Sequence, residues 1–262
     1  MTNYCKIETI IVIPTYNIGD EFRFNDYKFF LKNNENVFLC FVNDGSTDQT
    51  FTYLKKLNSA FKNQIHIISY QTNLGKAEAT RKGINYCNTH YNFNTIGFLD
   101  VDLATSLQEF MRLNSLITNE KEFIFGSRKS TNKNNIIRKY YRFFIGRIIA
   151  FIISKILNLN TYDTQCGCKV FTKNLSIIIF NEKFISKWLF DVELFLRMKT
   201  YYGIELTRQK ISETTLNKWE DRGNSKISFL YLFKLWIDLF KINKKYSTNY
   251  DPINIKQLKN EV

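Results

Sequence analysis

No run of apolar residues in this chain approaches the ~20 needed to cross a bilayer. An uncharged stretch such as Ile148–Ser154 is closed off by Arg147 and Lys155, so the sequence predicts a chain that does not span a membrane. The polar N-terminus passes straight into a strand-like run, without the pattern of a signal peptide. Histidine is nearly absent, with only His66 and His90. The cysteines are few and odd in number: Cys5, Cys40, Cys87, Cys166 and Cys168. An odd count, with Cys40 inside an apolar run, argues against a disulfide framework and for reduced thiols in a cytosolic setting. Cys166-Gly167-Cys168 has no second close pair, which argues against structural zinc. Acidic residues are in deficit, 24 Asp and Glu against 37 Lys and Arg, for a formal charge of +13. That balance fits nucleic acid, an anionic membrane surface or phosphorylated small molecules, or simply a solvated lysine-rich face.

What is present is enough for a folded domain. The chain has 262 residues, of which 44% are hydrophobic and 16% aromatic, so it can bury one large core with an appended subdomain. The most informative stretch is Leu99-Asp100-Val101-Asp102, where two carboxylates end the apolar run Ile96-Gly97-Phe98-Leu99. Side chains alternate along a strand, so Asp100 and Asp102 fall on the same side. Two such carboxylates can hold a hard divalent cation and leave positions open for the oxygens of a nucleoside diphosphate.

Four further runs read as strands: Thr9–Ile13, Val37–Val42, Ile65–Tyr70 and Phe123–Phe125. Helices are predicted within 21–33, near 49–61, from Gly75 onward, and after Ser106-Leu107-Gln108-Glu109, which reads as a capping box. Strands alternating with helices predict an α/β fold, a mainly parallel sheet with helices on both faces. In such sheets ligands bind beyond the C-terminal strand ends. The polar clusters Thr15–Asn17, Asp44–Asp48, Asn73–Lys76, Asp100–Asp102 and Ser127–Arg128 all fall at those ends.

The rhythm changes after about residue 130. Arg138–Leu159 reads as a basic-edged helix, and Asp163–Phe171 as a turn entering a strand. Trp188–Phe195 reads as a helix on which Asp191 and Glu193 either face solvent or serve the site. Lys226–Tyr246 carries a broad apolar stripe flanked by Lys234, Lys241, Lys244 and Lys245, suited to a core helix or to a membrane interface.

Val12–Asn17, Val42–Asp48, Asn73–Ala77 and Asp100–Asp102 together resemble the family 2 glycosyltransferases of GT-A fold. Asp100–Thr105, Tyr162–Gly167, Trp188–Glu193, and Trp219-Glu220 with Ser225-Lys226 are similar to the dolichyl- or polyprenyl-phosphate glucosyltransferase branch. Ala104 stands where mannosyl relatives carry a second polar residue, which favours the glucosyl side. The resemblance implies that Pro14, Thr15, Tyr16 and Asn17 line a nucleotide pocket, that Asp44 accepts from uracil, and that Gly75 and Lys76 lie against the nucleotide. It implies that Asp100 and Asp102 bind Mg2+ or Mn2+, and that Arg128, Arg138 and Lys226 clamp an acceptor phosphate. It puts Asp191 where related enzymes keep a general base.

The resemblance further divides the chain into a nucleotide-sugar half (1–128), an acceptor half with membrane-interface helices (129–246) and a polar tail (247–262). The implied activity is inverting transfer of a sugar, glucose in the first instance, from a UDP-sugar to a polyprenyl phosphate at the cytoplasmic face of a membrane. One alternative is transfer to a glycan or lipid hydroxyl with Asp191 as base. Others are a non-catalytic nucleotide binder and a basic nucleic-acid-binding protein. The last is disfavoured by aspartates in the predicted cleft and by the lack of any nucleic-acid motif.

Overall fold

The computed structural model describes residues 7–132, 134–137, 140–221 and 229–247. In chain order the elements are β1 (Thr9–Thr15), α1 (Phe24–Lys32), β2 (Val37–Asp44), α2 (Thr50–Ala60), β3 (Ile65–Tyr70), α3 (Lys76–His90), β4 (Thr95–Leu99), α4 (Leu107–Asn114) and β5 (Phe123–Ser127). There follow β6 (Asn135–Ile137), α5 (Tyr140–Leu157), β7 (Cys168–Thr172), α6 (Lys173–Ile179), α7 (Phe190–Tyr202), α8 (Ile204–Lys210), β8 (Ile211–Thr215), β9 (Lys218–Glu220) and α9 (Phe229–Ser247). Seven strands form one sheet in the order β3-β2-β1-β4-β7-β5-β8, and β6 pairs with β9 separately. Within the large sheet β7 alone runs against its neighbours, β4 and β5. The C-terminal ends of the other six therefore share one edge.

The period-two alternation of each strand feeds two cores. Ile10 and Val12, Phe38, Cys40 and Val42, Ile96 and Phe98, and Phe123 and Phe125 face α3, α5, α6, α7 and α9. Ile11 and Ile13, Leu39 and Phe41, Leu99 and Ile124 face α1, α2 and α4. This is the expected mainly parallel sheet covered on both faces. A strand buried on both sides reads as a continuous apolar run, which is why these strands were legible.

Three local expectations are refined. The first helix begins only at Phe24, because Gly19–Glu21 form a 3-10 turn ahead of it. Ser106 caps α4 by accepting from Glu109 N at 3.1 Å, but Glu109 does not return the bond; its carboxylate takes Arg112 and both Asn217 N–H groups instead. The solvent-facing reading of Asp191 and Glu193 is overturned, since they are 6% and 0% exposed. Glu193 accepts from Ile185 N and Ser186 N and pairs with Arg197, which ties α7 to the loop before it.

Candidate active site

Three loops meet at the C-terminal edge of β1, β2 and β3. Asn17, held at φ 44°, donates its backbone N–H to Ser46 Oγ and accepts from Thr47 N at 2.8 Å, so the first loop is stitched to the second. Asp44 is buried, and its two oxygens accept from Leu74 N at 2.7 Å and Gly75 N at 2.8 Å. Its carboxylate thus anchors the third loop. Gly75 enters α3 at φ 92°, a conformation that favours glycine. Pro14 and Thr15 are buried, and Thr15 Oγ1 turns back to Ile13 O, so Tyr16 and Asn17 are the exposed groups here.

Asp100, Val101 and Asp102 form the turn after β4. Lys76, the first residue of α3, forms an ion pair with Asp100 Oδ1. Desolvation pulls the Lys76 ammonium down, but Asp100, Asp191 and Asp102 outweigh it and hold its pKa above the ordinary value. Asp100 rests on Gly167, where any Cβ would collide with its carboxylate. The buried Tyr27 hydroxyl donates to Val101 O at 2.9 Å, and Ala104 N donates to Asp102 Oδ1 at 2.9 Å, so the turn is pinned from both sides. Burial and then the charge of Asp100 push the Asp102 carboxyl above its ordinary pKa. A donor set of two carboxylates on one turn, only one of them ion-paired to Lys76 in a contact shown here, offers the hard oxygens that suit a divalent cation of the Mg2+ or Mn2+ kind. Among the described residues no three His, Cys, Asp or Glu side chains cluster for a metal.

Asp191 lies in the first turn of α7, with Oδ1 2.6 Å from Lys169 Nζ. Burial raises its carboxyl, and Lys169 and Lys76 oppose the rise. Lys169 was not among the residues singled out from the sequence, nor was Asp163. Lysine is almost never fully buried without a partner. A lysine between Cys168 and Val170 in an apolar strand was therefore the available signal. Asp163 accepts from Arg128 Nε at 2.7 Å, Arg128 Nη2 at 2.8 Å and Arg128 N at 2.9 Å. Desolvation opposes the Arg128 charge, and Asp163 more than restores it, leaving the guanidinium pKa raised. Glu213 in turn accepts from the backbone of Tyr162 and Asp163. Arg128 is therefore oriented along one edge of its fork, 5.3 Å from the centre of the Trp219 ring, and among the described residues its bonds run to Asp163. Arg138 and Lys226 lie outside the described residues.

The edge thus brings together Tyr16, Asn17, Gly75, Lys76, Asp100, Asp102 and, through β5, Arg128. The sequence pattern of glycosyl transferase family 2 matches residues 10–178. The dolichyl-phosphate beta-glucosyltransferase ALG5D of Trichomonas vaginalis is 26% identical over 262 residues, covering 93% of this chain and 75% of that protein. ALG5C of the same organism is 32% identical, covering 77% of this chain and 58% of its own. The human dolichyl-phosphate beta-glucosyltransferase is 28% identical, covering 79% and 63%. The chain thus spans less than two thirds of the length of the latter two. Glucosyl-3-phosphoglycerate synthase from Mycobacterium tuberculosis, crystallised with Mn2+, UDP-glucose and phosphoglyceric acid, superposes with a TM-score of 0.62 at 14% identity, covering 91% of this chain and 80% of that one. That likeness shows a shared GT-A fold. With a family pattern matched over more than half its length on such a fold, the chain belongs to glycosyl transferase family 2.

Proposed function

We propose that this chain transfers glucose from UDP-glucose to dolichyl or another polyprenyl phosphate, with inversion at the anomeric carbon. The observation that carries the reading is the Asp100–Asp102 turn, with Lys76 ion-paired to Asp100 at the same edge. The names of the relatives support the lipid phosphate and the glucose. The UDP-glucose and Mn2+ complex of the M. tuberculosis synthase supports the donor and the metal.

An acceptor phosphate oxygen attacks C1 of the sugar, and the bond from C1 to the β-phosphate oxygen breaks, its electron pair leaving with UDP. A divalent cation held by Asp100 and Asp102 would neutralise the charge gathering on that diphosphate. Lys76 adds a fixed positive charge beside it. Arg128, steadied by Asp163, offers its second edge to the acceptor phosphate in a charge-assisted contact. The attacking oxygen is already anionic near neutral pH, so no general base is required.

The acceptor is a lipid, and the surface offers a place to meet it. No described helix is long and apolar enough to cross a membrane. On α9, Leu239 and Ile242 are buried, while Trp236, Ile237 and Phe240 are exposed beside Lys234, Lys241 and Lys244. An apolar strip edged by lysines suits the interface of an anionic membrane.

The test is UDP release with Mn2+ or Mg2+ from UDP-glucose, UDP-galactose, UDP-N-acetylglucosamine and GDP-mannose, each with and without polyprenyl phosphate. Release that requires UDP-glucose and the lipid phosphate together is expected. Release indifferent to lipid phosphate but stimulated by a glycan would move the acceptor to a hydroxyl and make Asp191 its base. UDP binding without any release would leave a nucleotide-binding protein.

A further inference from the structure

Lys169 is a lysine in the wrong place for an ordinary strand. It is fully buried in β7, cross-strand from Phe98 and Phe125, with its ammonium 5.4 Å from the centre of the Phe98 ring. Its partners are Cys166 O at 2.6 Å and Asp191 Oδ1 at 2.6 Å. The ammonium and Asp191 Oδ1 thus form a buried ion pair. Oδ1 is buried against the ammonium, so the 9% exposure left to the Asp191 side chain is on the Oδ2 side. Isolated buried charges are costly, and a strand that also holds Cys168, Val170 and Phe171 could have carried another apolar residue here.

The surroundings of Asp191 indicate what Oδ2 meets. Its partner Lys169 stands opposite Phe98, two residues before Asp100, and the charges of Lys76 and Asp100 reach the Asp191 carboxyl, so it lies toward the groups that would hold the diphosphate. An anionic acceptor is repelled by a carboxylate. The hydroxyls of the sugar attached to that diphosphate are neutral donors and are not.

Resting on the UDP-sugar transfer reading, we propose that Lys169 is a positioning residue. It fixes Asp191 with one oxygen turned inward, so that Oδ2 stands ready to accept from a hydroxyl of the donor sugar. A purely structural pair would pin α7 to the sheet and leave the choice of sugar untouched.

The experiment compares wild type, Lys169→Met and the double variant Lys169→Met/Asp191→Leu. The double variant leaves no unpaired buried charge and keeps the test readable if Lys169→Met does not fold. Each is assayed for UDP affinity and for kcat/KM with UDP-glucose and a series of UDP-deoxyglucoses. In wild type, one deoxy donor should fall on the order of 10²-fold below UDP-glucose. In both variants UDP affinity should stay within about threefold, while UDP-glucose falls to the level of that deoxy donor and the discrimination collapses. Folded variants that keep the wild-type discrimination would overturn the proposal and leave Lys169 a structural residue. Absence of transfer from UDP-glucose by wild type would instead overturn the transferase reading itself.

Discussion

Asp100 and Asp102 come from one turn but sit in different company. Asp100 is balanced by Lys76 and rests on Gly167, whereas Asp102 is desolvated beside another carboxylate. Gly167→Ala would drive a methyl group into Asp100, so affinity for UDP with Mn2+ should fall about 10–100-fold in a protein that still folds. Calorimetric titration checks this, and unchanged affinity would remove Asp100 from the site. Asp44 makes a different prediction. Asp44→Ala strands two loop amides, so urea unfolding should show a loss on the order of 3 kcal/mol. The carboxylate pair was readable from the sequence because its members are only two positions apart. Lys169 and Asp163 were not, because their partners Asp191 and Arg128 lie on distant segments that only the folded sheet brings together.

At the level of elements, the buried strands β1, β2, β4 and β5 and the half-buried edge strand β3 were legible because each is a short apolar run ended by polar turn residues. The edge strand β8, Ile-Ser-Glu-Thr-Thr, is half-buried throughout and carries no apolar alternation, so nothing in it announced a strand. Its place is set by pairing with β5 and by Glu109 of α4, which holds Asn217 beyond its end. Burial works against the Glu109 carboxylate, yet bonds from Arg112 and Asn217 take its pKa below the ordinary 4.5. A depressed folded pKa contributes stability above 4.5 that is lost as pH falls through the folded value. Glu109→Gln should therefore lower Tm by about 2–6 °C at pH 7 and by much less near pH 3, as followed by circular dichroism. An equal loss at both pH values would show that charge is not what joins α4 to this segment.

For the whole molecule, the proposed function requires the nucleotide edge and the exposed strip of α9 to serve one lipid-linked acceptor. Burying Trp236 and Phe240 in a membrane interface contributes about 1.5–3 kcal/mol each. The double substitution Trp236→Ala/Phe240→Ala should thus weaken sedimentation with phosphatidylserine vesicles at least ~10-fold while leaving UDP affinity unchanged. Wild type itself should release from these vesicles as salt rises, since the flanking lysines act through a screened field. Vesicle binding equal in the two proteins would place the membrane contact elsewhere. The proposed reaction is transfer of glucose from UDP-glucose to a lipid phosphate at the Asp100–Asp102 turn. Its most direct measurement follows labelled glucose from UDP-glucose into dolichyl phosphate with Mn2+, in wild type and Asp102→Asn. Label should enter the lipid in wild type and fall by on the order of 10²–10³ in the variant. Equal labelling by the two proteins, or no labelling of the lipid by either, would overturn the proposed transfer.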